Sequence, residues 1–115
     1  MAALAQDKLR AFTDAIWDDE VVPTLVEYIA IPAKSPSFEP EWKKLGHMDR
    51  AVELFAKWAE TKLAALNATM SVERLPGRTP LIFIDVPGSA RDGDTVMLYG
   101  HLEKQPEMKG WDDGK

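Results

Sequence analysis

Residues 81–84 read Leu-Ile-Phe-Ile, and residues 95–101 read Thr-Val-Met-Leu-Tyr-Gly-His. An unbroken apolar run of this length is typical of a strand that is covered on both faces, so strands are predicted over 81–84 and 95–99. A further strand is predicted over residues 70–75, where apolar and polar side chains alternate. The turn-forming sequence Pro-Gly-Arg-Thr at 76–79 follows that strand. Three strands are therefore expected, and two of them need helices on both sides.

The sequence before the strands has a helical period. From Ala2 to Ile31, apolar residues recur mostly at spacings of three and four. Pro23 lacks an amide hydrogen and cannot lie in the middle of a helix, so two pieces are expected, the second opening near Glu20 with Pro23 in its first turn. Pro32 is expected to end the second piece, because the residue before a proline is pushed out of helical geometry.

A second helical region follows a proline-rich loop. Residues 32–40 contain three prolines and two serines and are predicted to form the loop. Residues 41–67 are predicted to form one long amphipathic helix that ends at Asn67. The order of elements is then helix, helix and three strands. Residues 1–115 are accordingly interpreted as a single partial α/β domain.

The composition limits the classes of function. The chain has 115 residues and a formal net charge of −5, and its basic residues are scattered among acidic ones, so nucleic acid is not an expected partner. Cysteine is absent, which excludes a thiolate metal site and suits a cytoplasmic location. No run of 18 apolar residues predicts a membrane span, and the N-terminal residues do not have the pattern of a secretory signal.

The strongest candidates for functional residues follow the last predicted strand. Gly100 and His101 come directly after it, at the strand end where open α/β sheets bind ligands. Glycine permits a close backbone approach, and the histidine offers an imidazole nitrogen to a metal. Glu103 lies two residues further, so on an extended backbone its carboxylate reaches the same side and orients the ring. The competing interpretation is a surface pair or a structural histidine, which is the commoner case for this spacing alone.

The stretch TVMLYGHLEKQPEMKGW at 95–111 resembles the first metal-site motif of the dinuclear zinc peptidases of metallopeptidase family twenty, the carnosinase and aminoacylase group. Its continuation Lys-Gln-Pro-Glu-Met-x-Gly-Trp is most similar to the carnosinase-like dipeptidases. Residues 25–32 resemble the first helix of the family and the Ile-Pro loop that follows it. The resemblance extends over nearly the whole chain and implies the N-terminal part of a mixed-sheet zinc-peptidase catalytic domain.

The resemblance implies a role for each matching residue. His101 matches a ligand of one of two zinc ions, and Glu103 stands where the family has an aspartate that holds this histidine and assists catalysis. Glutamate is longer by about 1.5 Å, and changes behind a metal ligand typically cost roughly 10–100-fold in affinity or activity. Glu107, Met108 and Trp111 would line the substrate entrance. In a complete enzyme the substrate would be a short peptide.

The same resemblance implies that the bridging aspartate, the general base and the other ligands follow the matched region, beyond Lys115. This chain by itself is therefore expected to bind zinc weakly at most and to be catalytically inactive. The alternative interpretation is a non-catalytic α/β module for binding or self-association, in which unpaired sheet edges lead to a homo-oligomer. His47 is predicted to be a solvated helix-surface histidine, and Ser35 and Ser37 to be loop serines without a nucleophilic role.

Overall fold

A computed structural model of the chain describes residues 5–90 and 93–110. The chain divides into two compact units, one ending at Ile31 and the other beginning at Pro32. This division does not test the interpretation of residues 1–115 as a single partial domain, which stays a prediction. Within the described residues, 5–90 and 93–110, no helix is both long and apolar enough to cross a membrane.

The first unit consists of two helices joined by a wider turn. Helix α1 spans Gln6–Ile16, a π-helical turn spans Trp17–Val21, and helix α2 spans Val22–Ala30. Pro23 lies in the first turn of α2, so the predicted change near Glu20 is confirmed. The wider turn follows from the proline, which cannot donate to the preceding turn. The hydroxyl of Thr24 donates to the carbonyl oxygen of Glu20 at 2.8 Å. Residues 2–4 of the predicted helix lie outside the described residues.

In the second unit, the single helix predicted over residues 41–67 is wrong at Gly46. Helix α3 spans Trp42–Leu45 and helix α4 spans His47–Leu66. Gly46 between them has φ of +69°, a left-handed conformation that ends one helix before the next begins. The apolar residues keep their helical spacing across Gly46, so the spacing does not predict the break. The predicted end is confirmed, because Asn67 adopts φ of 51° directly after α4.

The sheet is a two-stranded antiparallel hairpin. Strand β1 spans Thr69–Glu73 and strand β2 spans Leu81–Asp85, with Val72 opposite Ile82. This pair is half-buried on the face that α4 packs against, whereas Leu81 and Phe83 on the other face of β2 are about half exposed. The expected cover on both faces of β2 is therefore wrong for the residues that the structure describes. A mixture of helices and sheet is present, so the broad α/β class is confirmed.

The core of the second unit is small and centres on α4. Met48, Ala51, Val52 and Ala59 are buried along one side of this helix, and Ala33 from the preceding loop is buried as well. Arg74, just after β1, hydrogen-bonds Asp49 in the first turn of α4. The hairpin is thus held to the helix by apolar packing and by one exposed ion pair.

The third strand predicted over residues 95–99 is absent. This segment has no strand pairing, and the side chains of residues 96–99 are between 77% and 92% exposed. A strand with apolar character on both faces needs a neighbouring strand and two covering layers. Residues 5–90 and 93–110 supply none of these around the segment, so it remains an extended loop. The three strands expected in this chain are corrected to a two-stranded hairpin among the described residues, and the mixed sheet of a peptidase domain stays a prediction.

Candidate functional site

His101 and Glu103 are brought together as the spacing suggested. The Nδ1 atom of His101 lies 2.5 Å from the Oε1 atom of Glu103. The histidine side chain is 61% exposed and that of the glutamate 30%. The contact forms although residues 101–103 are in no strand. Glu103 lies at a bend of the chain, so the contact forms without the regular extended backbone on which the spacing argument depended.

The chemistry of the carboxylate defines the tautomer of the imidazole. Partial burial by itself would raise the pKa of Glu103, but the hydrogen bonds from His101 and from the backbone outweigh it and hold that pKa below its ordinary value. Glu103 is thus ionised at neutral pH and can only accept a hydrogen bond. The proton must then reside on Nδ1 of His101. In the neutral form of the ring the lone pair is then on Nε2, and no described residue hydrogen-bonds to that atom.

The pair lies in an open cleft of about 360 Å³. Met48 of α4, residues 79–82 at the start of β2 and residues 99–103 line this cleft. The ring of Tyr99 meets the imidazole of His101 edge to face, with 5.1 Å between the ring centroids. Tyr99 and Met48 are contributions that the sequence analysis did not identify, since it placed them only within a predicted strand and a predicted helix.

Gly100 does not have the steric role expected from the sequence. A methyl group added at this position would meet no atom within 4 Å, and the residue has no positive φ. Within the part of the chain that the structure describes, no close backbone approach therefore requires glycine before His101.

The sequence analysis missed a contact between the loop at residues 33–35 and Lys104, which follows Glu103. The backbone amide of Lys104 donates to the carbonyl of Ala33 at 2.8 Å, and the amide of Ser35 donates to the carbonyl of Lys104 at 2.9 Å. The Nζ atom of Lys34 lies 2.9 Å from the Oε2 atom of Glu107. A signal for this contact exists in the loop sequence. Prolines at 32 and 36 favour an extended backbone in the residues before them, and an extended segment can pair with another.

The arrangement fits a single metal ligand. Neutral histidine with its second nitrogen hydrogen-bonded to a carboxylate is the usual state of a zinc-bound imidazole. No group of three His, Cys, Asp or Glu side chains that could hold a metal ion occurs among residues 5–90 and 93–110. The described residues therefore fit one ligand of a zinc site and do not form a complete site.

His47 differs from its predicted state. Its Nδ1 atom is buried without a hydrogen-bond partner among the described residues, as is the Nε1 atom of Trp58, so His47 is not a fully solvated surface histidine. It begins α4 directly after Gly46, where the helix packs against the rest of the second unit. Ser35 lies in the loop, and its amide is used in backbone pairing. Trp111, which the resemblance assigned to the substrate entrance, lies outside the described residues.

No protein-family model and no curated protein matches this chain. The relation to the zinc peptidases thus depends on the residues themselves, chiefly those at 25–32 and 95–111. It stays a prediction.

Proposed function

We propose that this chain supplies the first metal-ligand segment of a dinuclear zinc dipeptidase that hydrolyses short peptides. His101 is proposed as a ligand of one zinc ion and Glu103 as the residue that orients it and assists catalysis. The remaining ligands and the general base would come from residues beyond these 115. By itself the chain is expected to bind zinc weakly and to leave peptides intact. A cytoplasmic location remains part of this proposal.

The observation that carries the proposal is the contact between Nδ1 of His101 and Glu103 at 2.5 Å. It fixes the tautomer that exposes Nε2 to a metal, in a cleft open to solvent. The edge of Tyr99 against the ring is a second contact that favours this orientation of the imidazole.

Bound zinc would act as a Lewis acid that lowers the pKa of a water molecule and polarises a peptide carbonyl. The task of His101 is to hold the metal through Nε2. The task of Glu103 is to keep the proton on Nδ1 and to raise the basicity of the ring. The cleft beside Tyr99 is the place where we expect the substrate peptide to lie.

The proposal is tested by titrating the chain with Zn²⁺ while the imidazole resonances are followed by NMR. The chain has two histidines, so His101 and His47 can be distinguished with one variant of each. We expect Zn²⁺ to shift the resonances of His101 before those of His47. His101→Ala should abolish the early zinc response, whereas His47→Gln should retain it. A response that survives His101→Ala would exclude His101 as the ligand.

The alternative is a non-catalytic module that associates with itself. The exposed apolar side chains of residues 96–99 and the two free edges of the hairpin favour it. Sedimentation equilibrium over a range of concentrations distinguishes the two functions. A defined oligomer that Leu98→Asp dissociates, together with indifference to Zn²⁺, would support the module and contradict the peptidase.

A further inference from the structure

The loop after Ile31 and the segment after His101 run side by side. Residues 33–35 pair with Lys104 in parallel, through two backbone hydrogen bonds of 2.8 and 2.9 Å. Ala33, at the start of this pairing, is only 1% exposed. The loop segment is therefore anchored in the core of the second unit, and Lys104 is anchored to the loop.

An ion pair adds a contact between the same two segments, three residues after Lys104. The Nζ atom of Lys34 lies 2.9 Å from Oε2 of Glu107, and the side chain of Lys34 is 28% exposed. The lysine therefore lies against the protein surface, where it spans the backbone pairing at Lys104. We call residues 33–35 with Lys104 and Glu107 the clasp.

The chain before His101 offers no comparable support. Residues 93–100 form no backbone hydrogen bond with another described residue, and the side chains of 96–99 are exposed. Among the described residues, the backbone pairing next to the His101–Glu103 segment therefore lies on its C-terminal side. Glu103 precedes Lys104 directly, so the clasp holds the backbone next to the residue whose carboxylate contacts His101.

We infer that Lys34 is a positioning residue for His101. By holding Glu107 and supporting the pairing at Lys104, it keeps the carboxylate of Glu103 on Nδ1 of the imidazole. The ring is thereby restricted to the tautomer with a free Nε2. The importance of this orientation for zinc rests on the proposed function, whereas the effect of the clasp on the tautomer does not.

The test measures the tautomer of His101 directly. The ¹⁵N chemical shifts of a neutral imidazole report which nitrogen carries the proton, and the measurement needs no metal. We expect Lys34→Met and Glu107→Gln each to lower the fraction with the proton on Nδ1 and to cause a several-fold loss of Zn²⁺ affinity. Lys34→Arg should restore both. Lys57→Met is the control, because it removes a lysine–glutamate ion pair with Glu53 in α4 that is not part of the clasp.

The outcomes separate the inference from the proposed function. An unchanged tautomer in both Lys34→Met and Glu107→Gln would overturn the role of the clasp, as would an equal change in Lys57→Met. Glu107 is mostly exposed, so its variant tests the clasp without disturbing the core. If the unmodified chain does not respond to Zn²⁺ at all, the proposed function fails. The tautomer still decides whether the clasp positions the ring.

Discussion

The imidazole of His101 and the carboxylate of Glu103 form a hydrogen bond of 2.5 Å between residues only two positions apart. The bond forms outside any strand, with Glu103 at a bend of the chain. The pair is thus a local feature of the chain, and its persistence depends on what holds residues 101–104. The pairing at Lys104 supports the backbone directly after Glu103.

Changes at Glu103 should alter metal affinity more than stability. We expect Glu103→Ala to lower the Zn²⁺ affinity of the chain by about 10-fold or more, because the partner of a metal-binding histidine typically contributes roughly 10–100-fold. Glu103→Asp should retain binding, because a carboxylate still faces Nδ1. Isothermal titration with Zn²⁺ measures the affinities, and far-UV circular dichroism checks the fold. Equal affinities in the Ala and Asp variants would contradict the role of the carboxylate.

The ion pair of Lys34 and Glu107 predicts a dependence on pH. The hydrogen bond from Lys34, together with a backbone hydrogen bond, holds the pKa of the Glu107 carboxyl below its ordinary value of 4.5. A lowered carboxyl pKa stabilises the folded state fully above the ordinary value, and the contribution is lost as pH falls through the lowered pKa. The stability difference between the unmodified chain and Glu107→Gln should therefore vanish in acid.

The pKa of Glu107 is measured by NMR titration of its carboxyl carbon. We expect a midpoint below 4.5 that moves upward in Lys34→Met. Lys44→Met, which removes a different exposed ion pair with Glu41, should leave the midpoint of Glu107 unchanged. If the midpoint of Glu107 is the same in Lys34→Met, the two side chains do not pair in solution.

Substitution by alanine should destabilise the protein at one glycine and leave its stability unchanged at another. Gly46 has φ of +69°, where a side chain costs about 1–2 kcal/mol, so Gly46→Ala should destabilise the second unit by about that amount. Gly100 has no positive φ and open space around it, so Gly100→Ala should change stability by less than about 0.5 kcal/mol. Urea unfolding followed by circular dichroism compares them. A tolerated alanine at Gly46 would mean that α3 and α4 join in one helix.

Signals carried by single residues were the most reliable guide to the fold. Pro23 and Asn67 fixed the start and end of helices correctly, because one restricts its own φ and the other readily adopts a left-handed one. Gly46 was missed because a continuous apolar period outweighed one glycine. The segment 95–99 was wrong because apolar character predicts a buried strand only where partners exist to bury it.

The candidate site was partly accessible from sequence for the same reason. The contact of His101 with Glu103 is local, so its spacing was enough to suggest it. The clasp joins residues about 70 positions apart, and no single-sequence pattern reports such a pairing. Only the prolines around residues 33–35 indicated an extended backbone there, without indicating its partner.

One buried valine and one exposed valine test whether residues 95–99 are exposed in solution. Val52 is 2% exposed in the core of α4, and Val52→Ala should cost about 2 kcal/mol through lost burial and a cavity. Val96 is 82% exposed, so Val96→Ala should leave the free energy of unfolding unchanged within about 0.5 kcal/mol. The two variants remove the same atoms, which makes each the control for the other. Urea unfolding at several protein concentrations measures both. A loss at Val96 comparable to that at Val52, and growing with concentration, would mean that this segment is buried between copies of the chain.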